Sequence, residues 1–356
     1  MFDALSIQSH RGQYRAFFDD DALDRLNESV GADVHFLIDK KVAALYGLEL
    51  EHVIHSQSVL FIEANEANKS LDKFPGYVEY LVSKSIRKDH KLVAIGGGVI
   101  QDITCFLAAT LLRGLPWVFY PTTLLAQADS CIGSKSSINV GKTKNILGTF
   151  TPPEQVYICT DVLKTLEERE IHSGIGEMLK VHAIEGPESF SRIASDYKKM
   201  LADRSVMKSY IYRSLEIKKP IIELDEFDNG PRNIMNYGHS FGHAIESATD
   251  FVIPHGIAVT VGMDMANFVA FNLGNTDICH YERMHQVLRE NMRGYEDVKI
   301  PQEEFFSALY KDKKHSSTHL KLVFPDSEAK IAVGFFSNDD KFQSLCIMYL
   351  REGRFQ

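Results

Sequence analysis

The hydrophobic pattern of this chain changes once, near residue 165, and that change constrains the fold more than any other feature. Before it, short apolar runs alternate with amphipathic helical stretches. The apolar runs lie at residues 34–38, 59–63, 92–95, 117–120 and 156–158. Strands that alternate with helices are typical of a parallel sheet covered on both faces. Residues 1–165 are therefore predicted to form an α/β domain.

Helical periodicity dominates the second half of the chain. Helical patterns occupy residues 177–182, 205–218, 238–248, 257–272 and 280–292. Strand signals return only at 320–324 and 331–333. The pattern predicts a second, mostly α-helical domain over residues 166–356.

Composition narrows the function classes. The 356 residues carry a net charge of -9, whereas nucleic-acid-binding domains usually show a basic excess, so we expect no nucleic-acid partner. Five cysteines, none in a CxxC pair, argue against a disulfide framework and a thiolate zinc site. The polar N-terminus lacks the apolar core of a signal peptide, and no apolar run approaches 18 residues. We expect a cytoplasmic protein with no membrane partner.

A glycine triplet, Gly96-Gly97-Gly98, follows one predicted strand and precedes a helical pattern. Glycines let the backbone approach a ligand closely, and the N-terminus of the following helix favours phosphate. The turn lacks the GxGxxG fingerprint of dinucleotide-binding domains. At this point both a nucleotide site and an ordinary tight turn remain open.

Histidines and a carboxylate suggest a metal site. His239 and His243 are four residues apart and share one face of a predicted helix, and His255 follows a proline break. Glu177 lies three residues before Lys180 in another helical pattern. Three N or O ligands leave open positions on a metal, which is the catalytic arrangement. Spacing alone leaves open which histidine of the pair binds, and also whether either does.

Residues 124–148 form a lysine-rich segment that contains Asp129, Lys135, Lys144 and Asn145 among glycines and serines. Ammonium and amide groups can hold a phosphate. The alternative is an exposed loop with solvated lysines. Its position after a predicted strand, at the carboxyl edge of a parallel sheet, favours ligand binding.

Taken together, these segments resemble the 3-dehydroquinate synthase family of sugar-phosphate cyclases. The resemblance extends from about residue 38 to residue 324, with agreement in order, chemistry and spacing. It is carried by GGGVIQD (96–102), RGLPWVFYPTTLLAQADSCIGSK (113–135), KN (144–145), GEMLK (176–180), RNIMNYGHSFGHAIE (232–246), PHG (254–256) and DKK (312–314).

The resemblance implies a Rossmann-like NAD-binding domain, a helical metal-binding domain, and NAD with a divalent metal, Zn or Co, as cofactors. It implies that Glu177, His239 and His255 hold the metal, which leaves His243 to contact phosphate. The residues implied for NAD are Asp39, Glu66, Lys69, Gly97, Gly98, Asp102, Thr122, Thr123, Lys144 and Thr165.

The same resemblance implies a small sugar-phosphate substrate and assigns residues to it. Those implied as catalytic are Asp129, Lys135, Lys180, Asn236 and His243. Those implied to bind substrate are Arg113, Asn145, Lys218, Asp228, Arg232, and Lys313 or Lys314. Lys218 and Arg232 match the pair that grips the substrate carboxylate, and Asp228 stands where the family has Glu. Arg113 matches a residue that reaches into a partner subunit, which implies a homodimer.

The implied reaction begins when NAD transiently oxidises a ring hydroxyl, after which phosphate is eliminated, the ketone is reduced and an intramolecular aldol step closes the ring. The chain departs from the family pattern at Gln101 and Cys105, where glycine is usual, and at Ser134, which interrupts GGK. Ile257 replaces the usual Glu after the metal histidine, and Lys41 replaces an Asn near the adenosine. These departures suggest a divergent branch.

Lys218 and Arg232 favour a carboxylated substrate, 3-deoxy-arabino-heptulosonate 7-phosphate, and hence 3-dehydroquinate synthase activity. One alternative is a related cyclase that acts on sedoheptulose 7-phosphate or another sugar phosphate. A second is a metal-dependent NAD alcohol or polyol dehydrogenase, against which the phosphate-binding residues Lys135, Lys144 and Asn145 argue. A third, a catalytically dead homologue, would have lost a ligand or lysine, and none is lost.

Overall fold

The computed structural model describes residues 4–141, 143–311 and 319–354, so Lys313 and Lys314 lie outside the described residues. The chain divides into two compact units. The first contains Met1–Glu167 and Lys219–Phe227, and the second contains Glu168–Lys218 and Asp228–Gln356. The short return of the chain to the first unit has no sequence signal that we identified.

A seven-stranded sheet forms the centre of the first unit. Its strands are β1 (Leu5–Ser9), β2 (Gly12–Phe18), β3 (Val34–Asp39), β4 (Val59–Ile62), β5 (Lys91–Gly96), β6 (Trp117–Pro121) and β9 (Gln155–Ile158). They lie in the order β1-β2-β9-β6-β5-β3-β4, and all neighbouring strands are parallel except the β1–β2 hairpin. The five predicted apolar runs all form parallel strands. The hairpin was not predicted, although its polar and apolar side chains alternate as in a half-buried strand.

The lysine-rich segment is more ordered than the predicted loop. It contains a single π-helical turn, Ala126–Ser130, and an antiparallel hairpin of strands β7 (Ile138–Val140) and β8 (Thr143–Leu147). The helices of this unit are α1 (Ala22–Leu26), α2 (Lys40–Leu45), α3 (Glu51–Ile54), α4 (Phe74–Ser83) and α5 (Gly98–Thr110).

The strand order places the glycine triplet at a ligand-binding position. From β3 the chain moves outward to β4 and then crosses back to β5 on the other side of β3. This reversal makes the carboxyl ends of β3 and β5 a topological switch point, where ligands bind in open α/β sheets. Asp39 ends β3, and Gly96-Gly97-Gly98 follows from β5 into α5.

The second unit is helical, as predicted. Its elements are α6 (Glu168–Glu185), α7 (Pro187–Ser195), α8 (Tyr197–Ala202), α9 (Arg204–Leu224), α10 (His239–Ala248), α11 (His255–Leu273), α12 (Ile278–Asn291), α13 (Gln302–Tyr310), the hairpin β10 (His319–Pro325) and β11 (Ile331–Ser337), and α14 (Asp340–Met348). The last residues of α9 belong to the first unit.

Helix α11 is the core of this unit, since every residue from Gly256 to Ala270 is buried. By length and composition it is apolar enough to cross a membrane, although the sequence suggested no such segment. However, 83% of its most apolar 18-residue window is buried inside the protein. A helix that is hydrophobic all round and surrounded by other helices has the composition expected of a protein core.

Candidate functional site

Three histidines converge at the N-terminal ends of α10 and α11. His239 begins α10, His243 follows one turn later, and His255 begins α11 after Pro254. Their nitrogen ligand atoms all lie within 4.8 Å of one another. Gly238 precedes His239 with φ of 75°, a left-handed conformation that glycine adopts without strain. This turn aims the start of α10 toward the start of α11.

Glu177 reaches the same cluster from the middle of α6. Its Oε1 lies 3.7 Å from Nε2 of His239 and 3.4 Å from Nε2 of His255, and its Oε2 lies 2.5 Å from Nζ of Lys180. The side chains of Glu177 and Lys180 are 1% and 3% exposed. Neither carboxylate oxygen accepts a well-formed hydrogen bond from the described residues. A buried carboxylate without such donors is costly unless a cation compensates it.

Glycines allow these three helices to approach closely enough for their side chains to meet. A Cβ on Gly176 would overlap the carbonyl oxygen of Gly256, and one on Gly256 would overlap that of Ser173. This glycine contact joins α6 to α11 one residue away from both Glu177 and His255. Gly242 and Gly262 serve the α10–α11 contact in the same way. The motif glycines next to the candidate ligands therefore determine the spacing of the helices that carry them.

Glu246 is a further member of the site that the sequence reasoning did not single out. Its Oε2 lies 3.1 Å from Nδ1 of His255, on the ring edge opposite the nitrogen that approaches Glu177. A carboxylate at this position fixes the orientation and tautomer of a metal-binding histidine. Glu246 is seven residues after His239 on α10, hence on the same helix face, and this spacing was the available signal. It supplies a carboxylate partner to His255 although Ile257 is apolar.

The charges of the cluster suit a divalent cation. Burial alone would raise the pKa of Glu177, but Lys180 and the histidines hold it well below its usual value. Burial and the charge of Lys180 lower the pKa of His239 well below its usual value, so this ring is neutral, as a metal ligand must be. Burial opposes charge on His255, yet Glu177 and Glu246 raise its pKa to about 10. The carboxylates of Glu177 and Glu246 therefore favour a positive charge beside His255. The two imidazoles of His239 and His255, with the carboxylate of Glu177, are ligand types that zinc and cobalt accept.

A second group of candidate residues lies at the switch point of the first unit. Gly97 packs tightly, because a Cβ there would lie 2.7 Å from the side chain of Thr123, whereas a Cβ on Gly98 would meet open space. The open side of Gly98 is at the N-terminus of α5, which favours an anionic group. Asp39 ends β3 and accepts a hydrogen bond from the backbone N–H of Lys41. The turn therefore has both the room and the polarity that a dinucleotide phosphate requires.

Beside this turn, Lys69 connects several of the predicted residues. Its Nζ lies 3.1 Å from Asp102, 3.0 Å from Oδ1 of Asn145 and 3.4 Å from Glu66. Lys69 is buried and Asp102 is one-fifth exposed. Burial raises the pKa of Asp102 to about 6, although Lys69 opposes the shift. Asn145, which the resemblance assigns to phosphate, contacts the lysine of the predicted nucleotide group, and φ at Asn145 is 51°.

The other predicted residues have local surroundings that the structure defines individually. Thr122 is buried, and its N–H donates to the carbonyl of Gly96. The Thr165 hydroxyl lies 2.8 Å from the hydroxyl of Tyr46, and Nζ of Lys144 lies 4.0 Å from the carboxylate of Glu66.

The residues that the resemblance assigns to the substrate differ in their surroundings. Lys218 and Arg232 are buried. The side-chain amide of Asn236 donates to the carbonyl of Asn233. Arg113 and Asp228 have left-handed backbone conformations. Lys135 pairs through its backbone with Phe150, and Asp129 lies in the π-helical turn.

Known protein families match most of this chain. The 3-dehydroquinate synthase N-terminal family matches residues 59–173, and the 3-dehydroquinate synthase C-terminal family matches residues 174–315. A 3-dehydroquinate synthase of Thermoanaerobacter sp. (strain X514) is 35% identical over 344 residues, which cover 93% of this chain and 96% of that protein. A second, from Streptococcus pyogenes serotype M3 (strain MGAS315), is 32% identical over 352 residues, covering 96% and 98%.

Solved structures share the fold at lower identity. A 2-deoxy-scyllo-inosose synthase complexed with carbaglucose-6-phosphate, NAD+ and Co2+ aligns with a TM-score of 0.83 at 20% identity, covering 98% of this chain and 100% of that one. The 2-epi-5-epi-valiolone synthase of Streptomyces hygroscopicus subsp. jinggangensis 5008, with NAD+ and Zn2+ bound, aligns with a TM-score of 0.82 at 22% identity, covering 99% of each chain. Because both family matches and relatives of more than 30% identity cover most of its length, this chain belongs to the 3-dehydroquinate synthase family.

Proposed function

We propose that this protein is a 3-dehydroquinate synthase, a phosphate-eliminating lyase that converts 3-deoxy-arabino-heptulosonate 7-phosphate to 3-dehydroquinate. Relatives that carry this name align with nearly the whole chain at 33–36% identity. The observation that carries the proposal is the buried carboxylate of Glu177 beside Lys180, His239 and His255. A simple fold-level likeness would not require this set of groups.

Two cofactors complete the site in this proposal. Glu177, His239 and His255 hold a divalent cation, zinc or cobalt, while Glu246 keeps the ring of His255 in place. NAD binds at the switch point beside Gly97 and Gly98. When bound, NAD accepts and returns a hydride, and the cation polarises the hydroxyl that is oxidised.

The protein residues supply position and charge. Lys180 places an ammonium group beside the metal ligands, where it can donate to a substrate hydroxyl and stabilise negative charge that develops on it. Asp129 and Asn236 are proposed to orient the substrate hydroxyls. Lys135, Asn145 and His243 are proposed to hold the phosphate.

Substrate choice depends on Lys218 and Arg232. Both are cationic side chains in the second unit, and they are 5% and 7% exposed. The family resemblance assigns this pair to the substrate carboxylate, which supports a heptulosonate phosphate over sedoheptulose 7-phosphate. A homodimer, in which Arg113 contacts the partner subunit, and a cytoplasmic location belong to the same proposal.

The test is release of inorganic phosphate by the purified protein with NAD and zinc or cobalt. Three incubations run in parallel, with 3-deoxy-arabino-heptulosonate 7-phosphate, with sedoheptulose 7-phosphate and with simple polyols. We expect release from the first without net NADH, because the hydride returns to the substrate. Release only from the second would replace the proposed substrate, and NADH accumulation on polyols would make the protein a dehydrogenase.

A further inference from the structure

Gln101 makes a reciprocal hydrogen-bonded pair with Ser130. Its Nε2 donates to the main-chain carbonyl of Ser130 at 2.6 Å, and the Ser130 hydroxyl donates to Oε1 of Gln101, also at 2.6 Å. Gln101 is 6% exposed and lies in the first turn of α5, three residues after the last glycine of the triplet. Both bonds are short and partly buried, so they restrain the two segments.

Ser130 ends the π-helical turn that contains Asp129. Such single π turns lack the regular helical hydrogen-bond pattern and recur at functional sites. From the other side, the buried side chain of Gln127 donates to the carbonyls of Pro121 and Cys159. Gln127 therefore ties the turn to the sheet, and Gln101 ties it to α5. Asp129 lies between these two attachments.

We propose that Gln101 is a positioning residue that sets the direction of Asp129. The inference rests on the proposed function, in which Asp129 orients the substrate hydroxyls. A primary amide offers one donor and one acceptor side by side, and this pair matches the carbonyl and hydroxyl of Ser130. A glutamate would place a second acceptor against the Ser130 carbonyl, and a glycine would leave that carbonyl without this donor.

A second side chain on the same face of α5 makes similar contacts. Cys105, one helical turn after Gln101, donates to the carbonyl of Thr151 at 3.2 Å and lies 3.8 Å from that of Ser134. The N–H of Thr151 donates to the carbonyl of Ser134 at 2.6 Å. Gln101 and Cys105 thus join one face of α5 to the carbonyls of Ser130, Ser134 and Thr151.

The experiment compares the holoenzyme with a Gln101→Met variant, which keeps the side-chain volume but removes both hydrogen bonds. Thr110→Val, on the same helix, is the control, because the Thr110 hydroxyl donates to the carbonyl of Phe106 within α5. The measurements are hydrogen exchange of residues 124–134, kcat/KM for the sugar phosphate, and the Kd for NAD by calorimetry.

For Gln101→Met we expect exchange in residues 124–134 to rise about tenfold and kcat/KM to fall about tenfold, since two hydrogen bonds are lost. The Kd for NAD should stay within about twofold, because the glycine turn keeps its own contacts. Unchanged exchange would show that Gln101 does not hold the turn. A parallel loss of NAD affinity would place its action at the nucleotide instead.

Ser130→Ala provides a second, milder variant in case Gln101→Met folds poorly. It removes one of the two bonds, so we expect about a threefold effect on exchange, and no added effect in the Gln101→Met background. Additive effects would contradict a shared contact. If wild-type protein released no phosphate from any sugar phosphate, the proposed function and the positioning role would both be wrong, whereas the exchange data would still decide whether Gln101 holds the turn.

Discussion

The two candidate regions satisfy their buried charges in different ways. In the first unit, Lys69 lies between Asp102, Glu66 and Asn145, so the cation has its counter-ions and an amide acceptor within the protein. In the second unit, Glu177 is almost completely buried, and its carboxylate lies against Lys180, His239 and His255. In the first region, the buried ammonium group is balanced by carboxylates of the protein. In the second region, a carboxylate and two imidazoles form the ligand set of a cation site. Pre-organisation therefore comes from internal pairing in one unit and from the proposed metal in the other.

Glu177→Gln tests this contrast most severely. The amide removes the anionic ligand, so we expect loss of the bound metal and a fall in phosphate release of about a thousandfold or more, since Lewis-acid stabilisation is worth several kcal/mol. Metal content by mass spectrometry and phosphate release are the measurements. Glu168→Gln at the exposed start of the same helix should leave both unchanged. Full metal occupancy in Glu177→Gln would remove Glu177 from the ligand set.

Glu246→Ala sharpens the account of the metal site by leaving the proposed ligands in place. Loss of the carboxylate partner of His255 should weaken zinc affinity by about 10- to 100-fold. Competition with a chromophoric chelator measures the affinity. Glu246→Gln, which keeps an acceptor but not the charge, should give a smaller loss. Equal affinity in all three proteins would show that Glu246 does not support His255 as a metal ligand.

Gly256→Ala tests whether helix spacing, rather than ligand identity alone, builds the second site. The added Cβ would overlap the carbonyl of Ser173 and force α6 and α11 apart, at a cost of about 1–3 kcal/mol. We expect Tm to fall by several degrees and zinc affinity to fall with it. The control is Gly76→Ala on α4, where a Cβ meets open space. A stable Gly256→Ala variant with normal zinc affinity would contradict the role of this contact.

Asp102 gives the smallest and most specific test, in the first unit. The pKa of Asp102 in the folded protein is about 6, above the usual 3.8. Between these two pH values, the folded state therefore binds a proton at Asp102 that the unfolded state has released. The free energy of unfolding should therefore lose a contribution, at most about 3 kcal/mol, as pH rises from 4 to above 6.

Urea unfolding of wild type and Asp102→Asn at pH 4.5 and 7 measures the effect. The asparagine variant should lack this component of the pH dependence, while Asp89→Asn, whose side chain is exposed, should retain it. If wild type and Asp102→Asn respond identically to pH, Asp102 is ionised throughout and Lys69 outweighs the effect of its burial.

Much of the fold was predictable because hydrophobic periodicity is local. The apolar runs at 117–120 and 156–158 became β6 and β9, and the helical pattern at 257–272 became α11. The β1–β2 hairpin was missed because its strands lack the continuous apolar runs by which the buried parallel strands were recognised. Within the candidate site, the proposed ligands came from motif resemblance, but the contacts of Glu246 and of Gln101 did not, because each depends on a partner on another element.

The sequence by itself determined the five parallel strands, the helical second half, the glycine turn and the residue types available for a metal. Periodicity, backbone freedom and side-chain chemistry belong to residues and their near neighbours. Only the tertiary structure decided which of those groups meet. Lys69 finds Asp102 across 33 positions of sequence, and Glu177 meets His255 because Gly176 and Gly256 let two helices touch. Such encounters are set by strand order and helix packing, which arise from the burial of the whole chain rather than from any one segment.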